Sequence, residues 1–234
     1  MKTHLTKLTV ALLTTLVMSA CGGGDNATTA SYGGPALVVD ASGYSSFNST
    51  ALGLSLAALP IETLSVAEQA SLAFMREEEK LAHDVYAQMD ARWGASTRVF
   101  GNIANSEATH AEAVRQLLLR YSLVDPAATL AAGLFQNTTL QGLYTQLAAS
   151  GAVSLIEALK VGAAIEEIDM IDINTALLNI DNQDIRLVYD SLLKGSRNHL
   201  RSFVSNLSNQ GVTYVPQYMA EADYLAIVTT PMER

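Results

Sequence analysis

Apolar residues recur at helical spacing over four long stretches of this 234-residue chain. The first begins after Pro60, where Ser65 and Glu68 have the spacing of a capping box. It carries Leu72, Met75, Leu81, Val85 and Met89 to about Arg92, and Gly94 marks its stop. The second runs from about Thr97 to Tyr121, with Val99, Phe100, Ile103, Val114, Leu117 and Leu118 on its inward side, before Asp125-Pro126 breaks it. The third is opened by Ser154 and Glu157 and places Leu155, Leu159, Ile165, Ile168 and Ile171 inward, as far as about Leu178. The fourth spans about Gln183 to Asn209, with Ile185, Val188, Leu192, Leu193, Leu200, Phe203, Val204 and Leu207, and ends at Gly211. No segment alternates convincingly as a strand does. The pattern predicts an all-α fold of four helices, with a long crossover over residues 122–152 between the second and third. Short helices are expected at Leu140–Ala148 and Glu221–Val228.

The start of the chain reads differently. Lys2 and Lys7 precede a short apolar run, Leu8 to Val17, which is too short to span a bilayer as a helix. Met18-Ser19-Ala20-Cys21 then places small residues before a lone cysteine. Residues 1–20 are expected to be a signal peptide, and the segment resembles a bacterial lipoprotein signal. That resemblance implies lipid on Cys21 and an exported protein facing the periplasm or cell exterior, held to a membrane. Residues 21–61, rich in Gly, Ser, Thr, Ala and Asn and nearly uncharged, are expected to be a flexible spacer. A helical domain over 62–212 and a tail over 213–234 complete the organisation.

Composition narrows the chemistry. Cys21 is the single cysteine, so disulfides and thiolate-held clusters are excluded. The formal charge is −9, and loss of Lys2 and Lys7 makes it two units more negative. Nucleic acid, which needs clustered Lys and Arg, is therefore not an expected partner.

The helices carry a carboxylate–histidine pattern. Glu107 and His110 stand at i and i+3, on one face, and that face also holds Val114 and Leu117. His199 lies on the fourth helix in a similar setting. Phe100 precedes His110 by the interval that separates Tyr189 from His199, a faint repeat between the second and fourth helices. The first helix offers Glu77, Glu78 and Glu79. Three adjacent residues cannot all face inward, so Glu79 is expected at the core, and Glu77 and Glu78 largely in solvent. His83 follows Glu79 by one turn and is either a further ligand or a solvent-facing or hydrogen-bonded residue. The third helix offers Glu166 and Asp169 on one face, with Glu167 as a rival or a solvated residue.

The motifs REEEKLAHDVY and NIANSEATHAEAVRQLL resemble the opening of rubrerythrin-type ferritin-like domains. With GAAIEEIDMIDI, VYDSLLKGSRNHLRSFV and GVTYVPQYM, the resemblance is closer to an uncharacterised bacterial and archaeal family of ferritin-like proteins, and it covers about residues 62–228. It implies a ferritin-like four-helix bundle, whose connectivity includes one long crossover, and a dinuclear iron or manganese site. By that resemblance Glu79, Glu107, His110, Glu166 and His199 stand at ligand positions, with Asp169 or His83 as possible additions. Ser196 stands where a rubrerythrin has its last Glu, so one of the two metal positions is expected to be weak.

The leading expectation is thus a lipid-anchored metalloprotein with oxidase, ferroxidase or peroxidase-like chemistry. There is no rubredoxin-type domain, so any turnover needs an external electron donor or Fe(II) itself. The alternatives are metal sequestration without turnover, and a metal-free structural or interaction module in which the same residues form a buried polar network.

Overall fold

The computed structural model describes residues 36–40 and 44–234. The expected signal peptide and Cys21 lie outside the described residues. Among the described residues, the order is β1 (Leu37–Val39), β2 (Ser45–Phe47), α1 (Ser49–Ala57), α2 (Val66–Trp93), α3 (Val99–Arg120), α4 (Thr138–Gly151), α5 (Leu155–Leu177), α6 (Gln183–Asn209) and α7 (Glu221–Val228). Among the described residues the fold is all-α apart from one antiparallel hairpin that pairs Leu37 with Phe47 and Val39 with Ser45. No described helix is long and apolar enough to cross a membrane.

Local chemistry sets the helix starts. The Ser65 side chain accepts from Glu68 N, and the Glu68 carboxylate accepts from Ser65 N at 2.8 Å, so both halves of the capping box form at α2. At α5 only half forms. Ser154 accepts from Glu157 N, while the Glu157 carboxylate pairs with Lys160 one turn on.

Four long helices enclose the core, and side-chain ties fix their directions. Ser71 meets Tyr189 at 2.9 Å, and Arg120 meets Asp184 at 2.7 Å, so the starts of α2 and α6 lie with the end of α3. At the other end, Trp93 donates to Gly151 O and Thr97 to Asn206. Helices α2 and α6 therefore run parallel to each other and antiparallel to α3 and α5. The connection from α3 to α5 must traverse the length of the bundle, and α4 forms within it. The core between the helices is apolar and continuous, with Leu72, Val85, Tyr86, Phe100, Val114, Leu117, Val188, Leu192 and Phe203 fully buried. Burial of such area, at about 25 cal/mol per Å2, is the main stabilising contribution.

Several expectations fail where the connections wrap the helices. The stretch expected to be a spacer holds β1, β2 and α1, because Leu37, Val39, Phe47, Leu52 and Leu56 have apolar surface to bury and do so. Glu77 and Glu78 are buried, not solvated. The crossover covers α2, and Glu77 accepts from the backbone N of Gln136 and Asn137. Glu78 turns towards α5, where burial and then the charges of Asp172 and Asp169 push its carboxyl well above the usual range. Glu167 is also buried, since the C-terminal segment folds back over α5. Its carboxylate accepts from the amides of Gln217, Tyr218 and Met219 and from the Tyr214 hydroxyl. Ile171, expected inward, is exposed instead.

Candidate metal centre

Each of the four long helices sends chemistry to one buried point. Glu79 comes from α2, Glu107 and His110 from α3, Glu166 from α5 and His199 from α6, and all five are nearly or wholly inaccessible. Glu107 is central. One of its oxygens lies 2.8 Å from His110 Nδ1, and the other lies 2.8 Å from His199 Nδ1. Each imidazole has an outer carboxylate as well: Glu79 is 3.5 Å from His110 Nδ1, and Glu166 is 3.5 Å from His199 Nδ1. The arrangement is close to two-fold, with Glu107 on the axis.

Neither Nδ1 has a hydrogen-bond partner, despite those short distances. Glu79 Oε1 is also unpartnered. Orphaned buried polar atoms are costly. Cis donors on an octahedral ion with bonds of about 2.1 Å stand roughly 3 Å apart, so a 2.8 Å gap without hydrogen-bond geometry suits two ligands of one cation. Two groups, Glu79–Glu107–His110 and Glu107–Glu166–His199, each offer donor atoms within 4.8 Å of one another and could hold a metal ion.

The electrostatics point the same way. Burial pushes the Glu79 carboxyl up to about 8, against the pull of His110. Burial also raises Glu166, and it raises Asp169 further with the help of Glu79 and Glu166. Glu107 is the exception. Burial works against its charge, but His199 and His110 outweigh this and hold it below the usual carboxylate range. The same contacts carry His199 up to about 9 although burial opposes its charge. The cluster is rich in acid, and bound cations would replace the protons that otherwise neutralise it.

The two additional candidates separate. Asp169 is buried beside the cluster, where its Oδ2 accepts a short hydrogen bond from Ser196 Oγ and its Oδ1 has no partner. It belongs to neither three-residue group. His83 is not at the centre. Its ring is 39% exposed and bonds Asp84 at 3.0 Å. Ser196 Oγ lies 2.9 Å from Leu192 O as well, so its single proton is shared between that carbonyl and Asp169. The donor distances are equal on the two sides.

Three further residues shape the centre. The Tyr86 hydroxyl donates to Glu166 Oε1 at 2.5 Å and so orients that carboxylate. Ser45 reaches in from β2 to both imidazoles. Gly195 makes room for them: a Cβ there would stand 2.5 Å from His110 Cε1. Glycine inside a helix costs about 0.5–1 kcal/mol relative to alanine, and here it permits the close approach of that ring.

Fold and centre together define an all-α protein with a buried carboxylate–imidazole cluster that could hold a metal ion. The family model described as "Uncharacterized protein domain (DUF2202)" matches residues 68–231, and the chain belongs to that family. It is 43% identical over 179 residues to "Uncharacterized protein MJ0754" of Methanocaldococcus jannaschii, a match covering 76% of this chain and 96% of that protein. The crystal structure of hypothetical protein MJ0754 from Methanococcus jannaschii is similar, with a TM-score of 0.72 and 43% identity over 75% of this chain and 99% of that one. The five clustered residues lie within the family match, whereas Ser45 lies before it.

Proposed function

We propose that this protein is a ferritin-like metalloprotein that binds two iron or manganese ions at the buried centre and performs oxidase, ferroxidase or peroxidase-like chemistry. One observation carries the reading: two three-residue groups share Glu107, and both histidine Nδ1 atoms in them are buried without hydrogen-bond partners. Glu79, Glu107 and His110 would hold one ion, and Glu107, Glu166 and His199 the other. Imidazole and carboxylate donors suit iron and manganese, and three carboxylates nearly balance two divalent charges. The connectivity adds support, since two antiparallel helix pairs joined by one full-length crossover are the ferritin-like arrangement.

A bound redox-active pair would supply two electrons for reduction of oxygen or peroxide. The chain's own residues fix the setting. Tyr86 orients Glu166, Phe47 and the surrounding core keep bulk water from the imidazoles, and Glu107 holds the two positions at one separation. Electrons must come from an external donor, or from Fe(II) as substrate. The export and the lipid anchor at Cys21 are proposed as well, on the sequence alone.

Anaerobic titration with Fe(II), followed by elemental analysis and then admission of oxygen, tests the reading. Two equivalents bound, with oxygen consumed in proportion to Fe(II), are expected. Two equivalents without oxygen or peroxide consumption would mean sequestration, and less than one equivalent would mean a metal-free polar network.

A further inference from the structure

Ser45 is fully buried, and its Oγ lies 2.9 Å from His110 Nε2 and 3.0 Å from His199 Nε2. It therefore touches both imidazoles on the side away from Glu107. Its remaining bonds all go to Ser106 of α3. Ser45 N donates to Ser106 Oγ at 2.8 Å, Ser45 Oγ donates to it at 3.2 Å, and Ser106 Oγ donates to Ser45 O at 2.7 Å.

The donor and acceptor count has one consistent solution. A serine hydroxyl has one proton to give and two lone pairs to receive. The Ser45 proton goes to Ser106, whose own proton goes to Ser45 O. Both Ser45 lone pairs are then left for the two Nε2 atoms, and each must arrive as N–H. One hydroxyl thus fixes the same ring nitrogen as the donor in both histidines, and aims both Nδ1 atoms at Glu107.

We infer that Ser45 is the positioning residue for the pair of histidines, and that docking of the β1–β2 hairpin is thermodynamically coupled to cation binding through it. The inference rests on the metal reading above. The hairpin has its own grip on the bundle. Leu37, Val39 and Phe47 are buried, Phe47 N donates to Thr109 Oγ1 at 3.1 Å, and the Phe47 ring stands edge-on to His110 at 5.7 Å. A docked hairpin supplies the acceptor that orients both ligands. By linkage, an ion that gains affinity from the hairpin must tighten hairpin docking by the same factor. Residues that orient metal ligands typically change metal affinity by about 10–100-fold when lost.

The test compares the full chain with Ser45→Ala, using Mn(II) alone as the probe. Wild type should bind two equivalents, and Mn(II) should slow hydrogen–deuterium exchange over residues 36–48. Ser45→Ala should bind about 10–100-fold more weakly and lose that slowing, with the exchange of the metal-free hairpin little changed. Equal Mn(II) affinity in the two proteins overturns the inference and leaves the metal reading intact. If wild type binds no Mn(II), the coupling falls together with the metal reading; if the variant hairpin undocks without metal, long-range proton–nitrogen NMR of the metal-free wild type, at a pH where the rings are neutral, decides. Nε2–H on both buried rings supports the positioning role, and a bare Nε2 on either ring overturns it.

Discussion

His110 and His199 stack face to face, their ring centroids 5.4 Å apart and their planes 19° from parallel, although they come from different helices. Glu107 spans the stack on one side, reaching both Nδ1 atoms. The two histidines therefore serve separate positions that have one carboxylate in common. Glu107→Ala should abolish uptake of both ions, whereas His110→Ala or His199→Ala should each remove one. Anaerobic Mn(II) titration of the three variants measures this, and equal losses in all three would mean that Glu107 is not shared.

Gly195 has a specific consequence for one side of the pair. The Cβ of Gly195→Ala would meet His110 Cε1 at 2.5 Å and Nε2 at 2.8 Å, with Ser45 Oγ at 3.2 Å. Overpacking of this kind costs about 1–3 kcal/mol. The variant should melt at a lower temperature and lose the His110 position first, leaving about one equivalent of Mn(II). Unchanged melting and stoichiometry would show that the ring has room to move.

Away from the centre, Phe203 is the clearest test of the core. It is fully buried between Tyr86 at 5.2 Å and Phe100 at 5.9 Å, and it packs where Gly162 has no side chain. Phe203→Ala should cost about 3–5 kcal/mol, read as a lower midpoint in urea unfolding with a similar slope. A loss below about 1 kcal/mol would mean that the aromatic cluster is not a main support.

The four long helices are legible in the sequence because each buries one stripe at helical spacing and starts or stops at a recognisable capping or breaking residue, as Ser65, Ser154 and Gly211 do. Convergence of Glu79, Glu107, His110, Glu166 and His199 is foreshadowed by the stripes those residues border. What pattern reading misses is what the connections do. Glu77 and Glu167 look solvated because charge on a helix usually is, yet the crossover and the C-terminal segment present backbone amides that need acceptors. Ser45 is missed for a related reason. It sits in a small-residue stretch with the composition of a spacer, and its partners His110 and His199 are remote in sequence. Gly195 and Tyr86 act only through three-dimensional proximity, which periodicity does not encode.

Anchoring through Cys21 predicts a simple fractionation. Cys21→Ser should move the protein from the membrane fraction to the soluble fraction. Wild-type protein found in the soluble fraction, with an N-terminus upstream of Cys21, would contradict the proposal.

The most direct test of the central claim is anomalous diffraction from crystals grown with Mn(II). The account predicts two anomalous peaks about 3.5–4 Å apart, one beside Glu79 and His110 and one beside Glu166 and His199, with Glu107 between them. Absence of anomalous density at Glu107 in a Mn(II)-saturated crystal, or peaks confined to surface carboxylates, would contradict it.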